Sequence, residues 1–246
     1  PSNANIIYAT ISVGSRGIGN DGFDKYEALY FLKSINKGES WTETQLPDGG
    51  TRNWAYLAWH ALTLSVDPND AERVYAGGLD IHLTSNGGTS WHRVSDWAQM
   101  YNGGGSDYVH ADQHVVLFKE GSSNEILFGT DGGVFYTTTG QLYQPTFIEK
   151  NFDFNTLQFY SCDIHPSAGV NKYIGGLQDN GSIYFNDAAT DNTDMVSGGD
   201  GAFCFFDENE PNVFFTSVYN NVYYFFKDDE WYNYNNDFES GLFVNP

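Results

Sequence analysis

The chain has 246 residues, 40% hydrophobic and 17% aromatic, enough for one large core, and its 27 glycines against 7 prolines point to many short strands joined by turns. Acidic residues number 32 against 11 basic ones, and the net charge of −21 repels phosphate backbones and anionic membrane surfaces while attracting cations. This argues against nucleic acid as a partner, and the lack of a run of 18 apolar residues argues against membrane insertion. The opening Pro1, with neither methionine nor a charged-then-apolar leader, reads as the start of a mature or excised soluble segment.

Taken in chain order, the predicted strands repeat. PSNANIIYA (1–9) returns as PNDAERVYAGG (68–78), GSSNEILFGT (121–130), KYIGGLQ (172–178) and ENEPNVFFTS (208–217). The strand before it returns as ALTLSVDP (61–68), HVVLFKE (114–120), YSCDIHP (160–166), AFCFFDE (202–208) and LFVNP (242–246). Phase markers at Pro1, Pro68, Glu120, Pro166, Glu208 and Pro246 stand 67, 52, 46, 42 and 38 residues apart. That spacing predicts an all-β fold, a β-propeller of four-stranded antiparallel blades with loops of uneven length. The approximate blades are 1–50, 54–98, 108–152, 156–199 and 201–246, read as part of a larger propeller. Closure of five blades into a ring is the competing reading, in which 242–246 pairs with 6–10.

Between predicted strands lie SINKGESW (34–41) and TSNGGTSW (84–91), one blade apart. In each, turn chemistry dominates: Asn36 and Asn86 bond their own backbone, Gly38 and Gly88 accept positive φ, and Trp41 and Trp91 pack over the hairpin behind Ser34 and its counterpart. Cys162 and Cys204 share a register with Leu64 and Val116 and read as small core hydrophobes. GSRGIGN (14–20) has glycines without the strand and helix that phosphate binding needs, so it reads as a loop. The aromatic run at 222–236 fits either sugar stacking or a tyrosine-rich strand face.

The two hairpins resemble Asp-boxes, the signature of sialidase-type and sortilin-type propellers. HADQH (110–114), GTDGGV (129–134), GGLQDNGS (175–182) and GGDG (198–201) together resemble exported bacterial propellers common among Bacteroidetes, often named glycosyl hydrolase with BNR repeats. The resemblance covers nearly the whole chain and is most specific over 108–201. It implies a large multidomain protein sent out by the type nine secretion route, an extracellular or cell-surface home, and contact with other domains of the same exported chain. No Asp-box is found in the last repeat.

Repeat register places His60, Asp112, Gln158 and Asp200 at the start of the innermost strands, around one mouth of the propeller. Turns joining second to third strands bring Asp80, Asp131, Gln178, Asp179, Asn180 and Asn220 to the same face, opposite the Asp-boxes. An extended HADQH would set His110, Asp112 and His114 on one side. The candidate ligand-binding residues are therefore His60, His110, Asp112, His114, Asp131, Gln178, Asp179, Asn180 and Asp200. Asp112, Asp179 and Asp200 are expected to be less exposed than the chain's average carboxylate, with backbone amides and histidines as partners. No residue is assigned to a metal and no cofactor is required, a calcium ion being compatible with the carboxylates.

Two functions fit. The favoured one is a noncatalytic recognition or scaffold propeller of a secreted or cell-surface protein that holds a glycan or peptide on its top face. Its rival is a glycoside hydrolase working through paired aspartates, with Asp112 and Asp200 as candidates.

Overall fold

The computed structural model describes residues 2–13, 27–47, 54–154, 156–186, 193–218 and 222–235. The strand expected at 242–246, Asn220 and the loop at 14–20 lie outside these residues, and so therefore does the ring-closing pair. Residues 1–154 and 155–246 form two compact units.

Unit 1 holds three antiparallel sheets, each a simple meander. The first contains β1 (Ile7–Ser12), β2 (Ala28–Ser34) and β3 (Thr42–Glu43). The second contains β4 (Thr63–Val66), β5 (Val74–Gly77), β6 (Ile81–Thr84) and β7 (His92–Arg93). The third contains β8 (Gln113–Phe118), β9 (Ile126–Thr130), β10 (Gly133–Thr137) and β11 (Ile148–Glu149). A 3-10 segment, Trp97–Asn102, leads from the second sheet toward the third. Strand β4 runs next to both β1 and β8, so each sheet meets the next along its leading strands.

Unit 2 repeats the plan with two four-stranded meanders. One contains β12 (Phe159–Ile164), β13 (Tyr173–Leu177), β14 (Ser182–Phe185) and β15 (Thr193–Ser197). The other contains β16 (Gly201–Phe206), β17 (Phe214–Val218), β18 (Val222–Lys227) and β19 (Glu230–Asn235). Here β16 lies against β12 and β13.

Burial explains the strand sequences. In β16 Ala202, Cys204 and Phe206 are buried while Phe203 and Phe205 are exposed, the period of two expected of a strand with one covered face. By contrast β5 and β6 are buried at every position, since sheets cover both of their faces; β5 reads as an apolar run, VYAG, while β6 buries His82 and Thr84 between and beside Ile81 and Leu83. Two cores form in unit 1, one around Phe31, Trp54 and Val74 and another around Tyr75, Phe128 and Phe135. Unit 2 has its own around Ile174, Tyr184 and Phe214. The repeat also sets contacts between sheets: Tyr8 and Tyr75, equivalent in the alignment, donate their hydroxyls to Ala71 O (2.9 Å) and Gly140 O (2.7 Å) in the following sheet.

The two hairpins at 34–41 and 84–91 are built alike. Ser34 Oγ donates to Asn36 Oδ1 (2.9 Å) and accepts from Gly38 N (2.8 Å), while Ser40 N donates to Asn36 Oδ1 (3.0 Å). Thr84, Asn86, Gly88 and Ser90 repeat the pattern at 2.9, 3.0 and 2.9 Å. Gly38 and Gly88 sit at φ 91° and 88°, where a side chain would be strained. One of the two tryptophans departs from the expectation. Trp41 lies over Gly38, but Trp91 reaches out of its hairpin to the first sheet, packing edge-on against Phe31 (4.7 Å) and donating Nε1 to Gln45 O (2.9 Å). Asn86→Ala should cost about 1–2 kcal/mol, because one exposed amide organises three hydrogen bonds; a melt unchanged within a degree would refute this.

Cys162 and Cys204 also differ from expectation. Cys204 is buried and Cys162 is exposed. In β12 the neighbours Ser161 and Asp163 face β16, accepting from Cys204 N (3.0 Å) and Phe206 N (2.8 Å), so the strand's alternation turns Cys162 the other way.

Candidate functional site

Residue Asp112 decides how HADQH is used. Its φ is 62°, in the left-handed region, and β8 begins only at Gln113. The alternation that would align His110, Asp112 and His114 is therefore broken before the strand starts. Asp112 N and Gln113 N donate to Leu79 O (3.2 Å) and Gly78 O (2.8 Å), strapping the segment to the β5–β6 turn of the neighbouring sheet. The fully buried Gln113 fixes it further by donating Nε2 to His110 O (2.6 Å). His110 is left packed against Gly132, in space that a side chain there would fill.

What converges instead is His60, His114 and Asp131. The first lies in the turn ahead of β4, the second in β8, and the third in the β9–β10 turn. His60 Nε2 stands 3.2 and 3.1 Å from the two Asp131 carboxylate oxygens. His114 Nε2 contacts Oδ1 of the same carboxylate, and the two imidazoles meet edge to face at 4.8 Å. All three side chains keep contact with solvent, with exposures of 36%, 34% and 26%.

The two carboxyl groups here are pushed apart. Burial raises the Asp131 carboxyl, but its hydrogen bonds to His114 and His60 outweigh that and hold it below the usual range. For Asp112, burial first and the charge of Asp131 second raise the carboxyl, against a weaker pull from His60, His110 and His114. Its Oδ1 is enclosed without a hydrogen-bond partner.

In unit 2 the candidates gather into one turn. Asp200 Oδ1 accepts from Asp179 N (2.7 Å), Asn180 Nδ2 donates to Gln178 O (3.0 Å), and Gln178 N donates to Gln158 O (2.9 Å). Asp179, at φ 58°, and Asn180 are exposed, while Gln178 and Asp200 are half-buried. The expectation that Asp179 would be sheltered is overturned: its left-handed backbone turns the side chain out of the tight corner. Asp80, expected at the mouth, is buried and engaged by Ser95, Trp97 and Arg93.

A cavity of about 490 Å³ in unit 2 is lined by residues outside the candidate set. Tyr184, Phe214, Phe226 and Trp231 form its apolar wall, and Lys172, Asn186, Asp194, Asn212, Asp228 and Asp229 its polar rim. Tyr184 stacks on Phe214 at 4.5 Å and Phe214 on Phe226 at 4.7 Å, with Trp231 set edge-on at 5.1 Å and left 38% exposed. Asp228 and Asp229 make the two-residue β18–β19 turn with φ of 54° and 61°, the conformation of a type I′ hairpin. Only the aromatic run at 222–236 hinted at this cavity.

No protein-family model matches the sequence, and no curated protein does. Among solved structures, the chain aligns over 95% of its length with an ancestral GH74 enzyme at 17% identity (TM-score 0.35, 32% of that chain). The GH74 xyloglucanase from Xanthomonas campestris aligns over 95% at 15% identity (TM-score 0.42, 37% of that chain). YCF48 from Cyanidioschyzon merolae aligns over 89% at 14% identity (TM-score 0.34, 70% of that chain). The chain thus spans about a third of the length of the GH74 enzymes.

Proposed function

We propose that the chain is a propeller segment of a larger exported, cell-surface or extracellular protein that recognises a glycan without cleaving it. The observation that carries this reading is the aromatic-walled cavity of unit 2. Trp231, left 38% exposed at the end of the ring stack, offers an apolar face to a sugar, and carboxylates and amides at the rim accept and donate to its hydroxyls. The meander sheets, their abutting leading strands and the repeat support the propeller architecture. The cavity is bounded by connections from first to second and third to fourth strands, so the proposed seat lies on the side opposite the second-to-third-strand turns. The exported setting rests on the resemblance of residues 108–201.

The candidate acids favour recognition over hydrolysis. Asp200 is engaged by a turn amide and both oxygens of Asp131 face imidazoles. A second reading keeps one observation behind it: carboxyls with opposite shifts, Asp112 up and Asp131 down, are what an acid and base pair would need. Incubating the protein with a panel of polysaccharides separates the two. Release of reducing sugar that disappears in Asp112→Asn or Asp131→Asn would establish hydrolysis through this pair, and its loss in Asp200→Asn would bring in the acid that the sequence pairs with Asp112. For recognition, affinity electrophoresis on the same panel should show retardation that Trp231→Ala weakens tenfold or more, about 1.4 kcal/mol. Unchanged retardation in a Trp231→Ala protein that is still folded would remove the cavity as the seat.

A further inference from the structure

The cluster of His60, His114 and Asp131 has a chemistry that sugar recognition does not require. We propose that it is a binding site for a divalent first-row transition ion of the zinc type, held by His60 Nε2, His114 Nε2 and an Asp131 oxygen. The inference goes beyond the recognition reading and does not depend on it, since the cavity of unit 2 shares none of these residues.

Geometry is the first support. The three donor atoms lie within 4.8 Å of one another. A tetrahedral ion with bonds of about 2.0–2.1 Å holds its ligand atoms roughly 3.3–3.4 Å apart, so side-chain shifts of about 1 Å would admit it. The contacts of 3.1 and 3.2 Å between His60 and the carboxylate are already close to that spacing. Backbone restraints favour it too. Asp131 sits in a tight turn propped by His110, its N–H donates to Asp112 O (3.2 Å), and His114 is fixed by its place in β8. Little ordering would accompany binding.

Donor chemistry selects the metal class. Two imidazoles and one carboxylate form a borderline set that suits zinc, cobalt, nickel or copper. Calcium and magnesium want six or more oxygens or a shell of waters, which two imidazoles do not supply. The calcium compatible with the sequence is therefore not the ion this cluster fits. Asp112 lies beside the site with its Oδ1 enclosed and without a hydrogen-bond partner, and its carbonyl accepts from Asp131 N. Each imidazole would bind through Nε2 in its neutral form, with the proton carried on Nδ1. Three protein ligands on a solvent-facing surface leave a coordination position for water or for an anionic group of a bound molecule.

The competing account is a plain hydrogen-bond clamp, in which the two imidazoles grip Asp131 and tie the sheets together. Calorimetric titration of the full chain with zinc chloride, and with cobalt chloride monitored in the visible, distinguishes them. We expect one ion per chain and cobalt bands of a low-coordinate site. His60→Ala, His114→Ala and Asp131→Asn should each weaken binding at least tenfold, while His110→Ala and excess calcium should not. Melting with zinc at a hundredfold excess over its Kd should raise Tm by roughly 5–10 °C over the chelated protein, and this rise should vanish in the three variants. Circular dichroism identifies any variant that fails to fold, and the zinc-dependent rise in wild type then carries the test. Absence of saturable binding overturns the proposal. So does binding retained in folded forms of all three variants, or a destabilisation by them that is the same with metal and with chelator.

Discussion

Gly181→Ala is expected to destabilise the chain sharply, with a large fall in its urea midpoint. Gly181 closes the β13–β14 turn at φ 64°, and its N–H donates to Gly199 O (2.6 Å) while its carbonyl accepts from Leu177 N (2.8 Å). A side chain here would place its first carbon 1.7 Å from Ser197 O, a backbone atom that no rotamer change can move. The positive φ adds about 1 kcal/mol, and relieving the overlap means separating the turn from the end of β15, for a total of roughly 3–5 kcal/mol or more. That is a large part of the 5–15 kcal/mol on which a domain rests. Gly169→Ala supplies the control, since Gly169 has φ 81° but nothing within 4 Å of an added carbon. It should cost only the backbone term, about 1 kcal/mol. Urea unfolding of both variants checks the contrast, and equal midpoints would show that the QDNG turn is not closely packed.

The same turn shows why parts of this chain were legible and others were not. Strands β4, β8, β12 and β16 occur where the repeat places them, because alternating apolar residues followed by turn residues recur in every sheet. The turns around Asn36 and Asn86 were equally readable, since their hydrogen bonds are made within a few residues of each other. The shared face of His110, Asp112 and His114 held only for an extended HADQH, and Asp112 leaves the extended region just before the strand starts at Gln113. No local pattern announces that Asp131 takes one partner 71 residues away and another 17 residues away. Repeat register still brought His60 and Asp131 to one face, as the cluster requires. The cavity was beyond reach for another reason: its wall draws Tyr184, Phe214, Phe226 and Trp231 from four strands, and only their packing makes a hollow of them. Likewise the Asp of a DGG or DNG turn reads the same in sequence whether it serves the backbone or a ligand.

Asp80→Ala should lower the stability of unit 1 by about 2–4 kcal/mol, a fall in Tm of roughly 5–15 °C. Asp80, 4% exposed, joins the β5–β6 turn to the chain beyond β7. Its Oδ1 accepts from Ser95 Oγ and from Trp97 N, both at 2.9 Å, and Ser95 Oγ in turn accepts from Ile81 N (2.8 Å). Alanine strands the part-buried Trp97 amide and leaves the buried Ser95 hydroxyl to find another acceptor, so the loss is that of two donors and not of one contact. The ion pair with Arg93 (3.3 Å) adds little, because that guanidinium is half exposed. Relief of the carboxylate's own burial offsets part of the loss, which is why the estimate stops at 4. Burial is the largest influence on this carboxyl and raises it above the usual carboxylate range, against the Trp97 amide, Ser95, Arg93 and His82. The sign of the pH dependence follows. The folded chain holds this proton to higher pH than the unfolded chain does, so the group's stabilising contribution is full below the unfolded pKa and is lost as pH rises through the raised folded pKa. Asp80→Asn carries no such proton. Urea midpoints measured across the acid range should therefore move against wild type, relative to Asp80→Asn, as pH increases. A gap that widens in favour of wild type on the same rise would mean that the hydrogen bonds to Asp80 outweigh its burial.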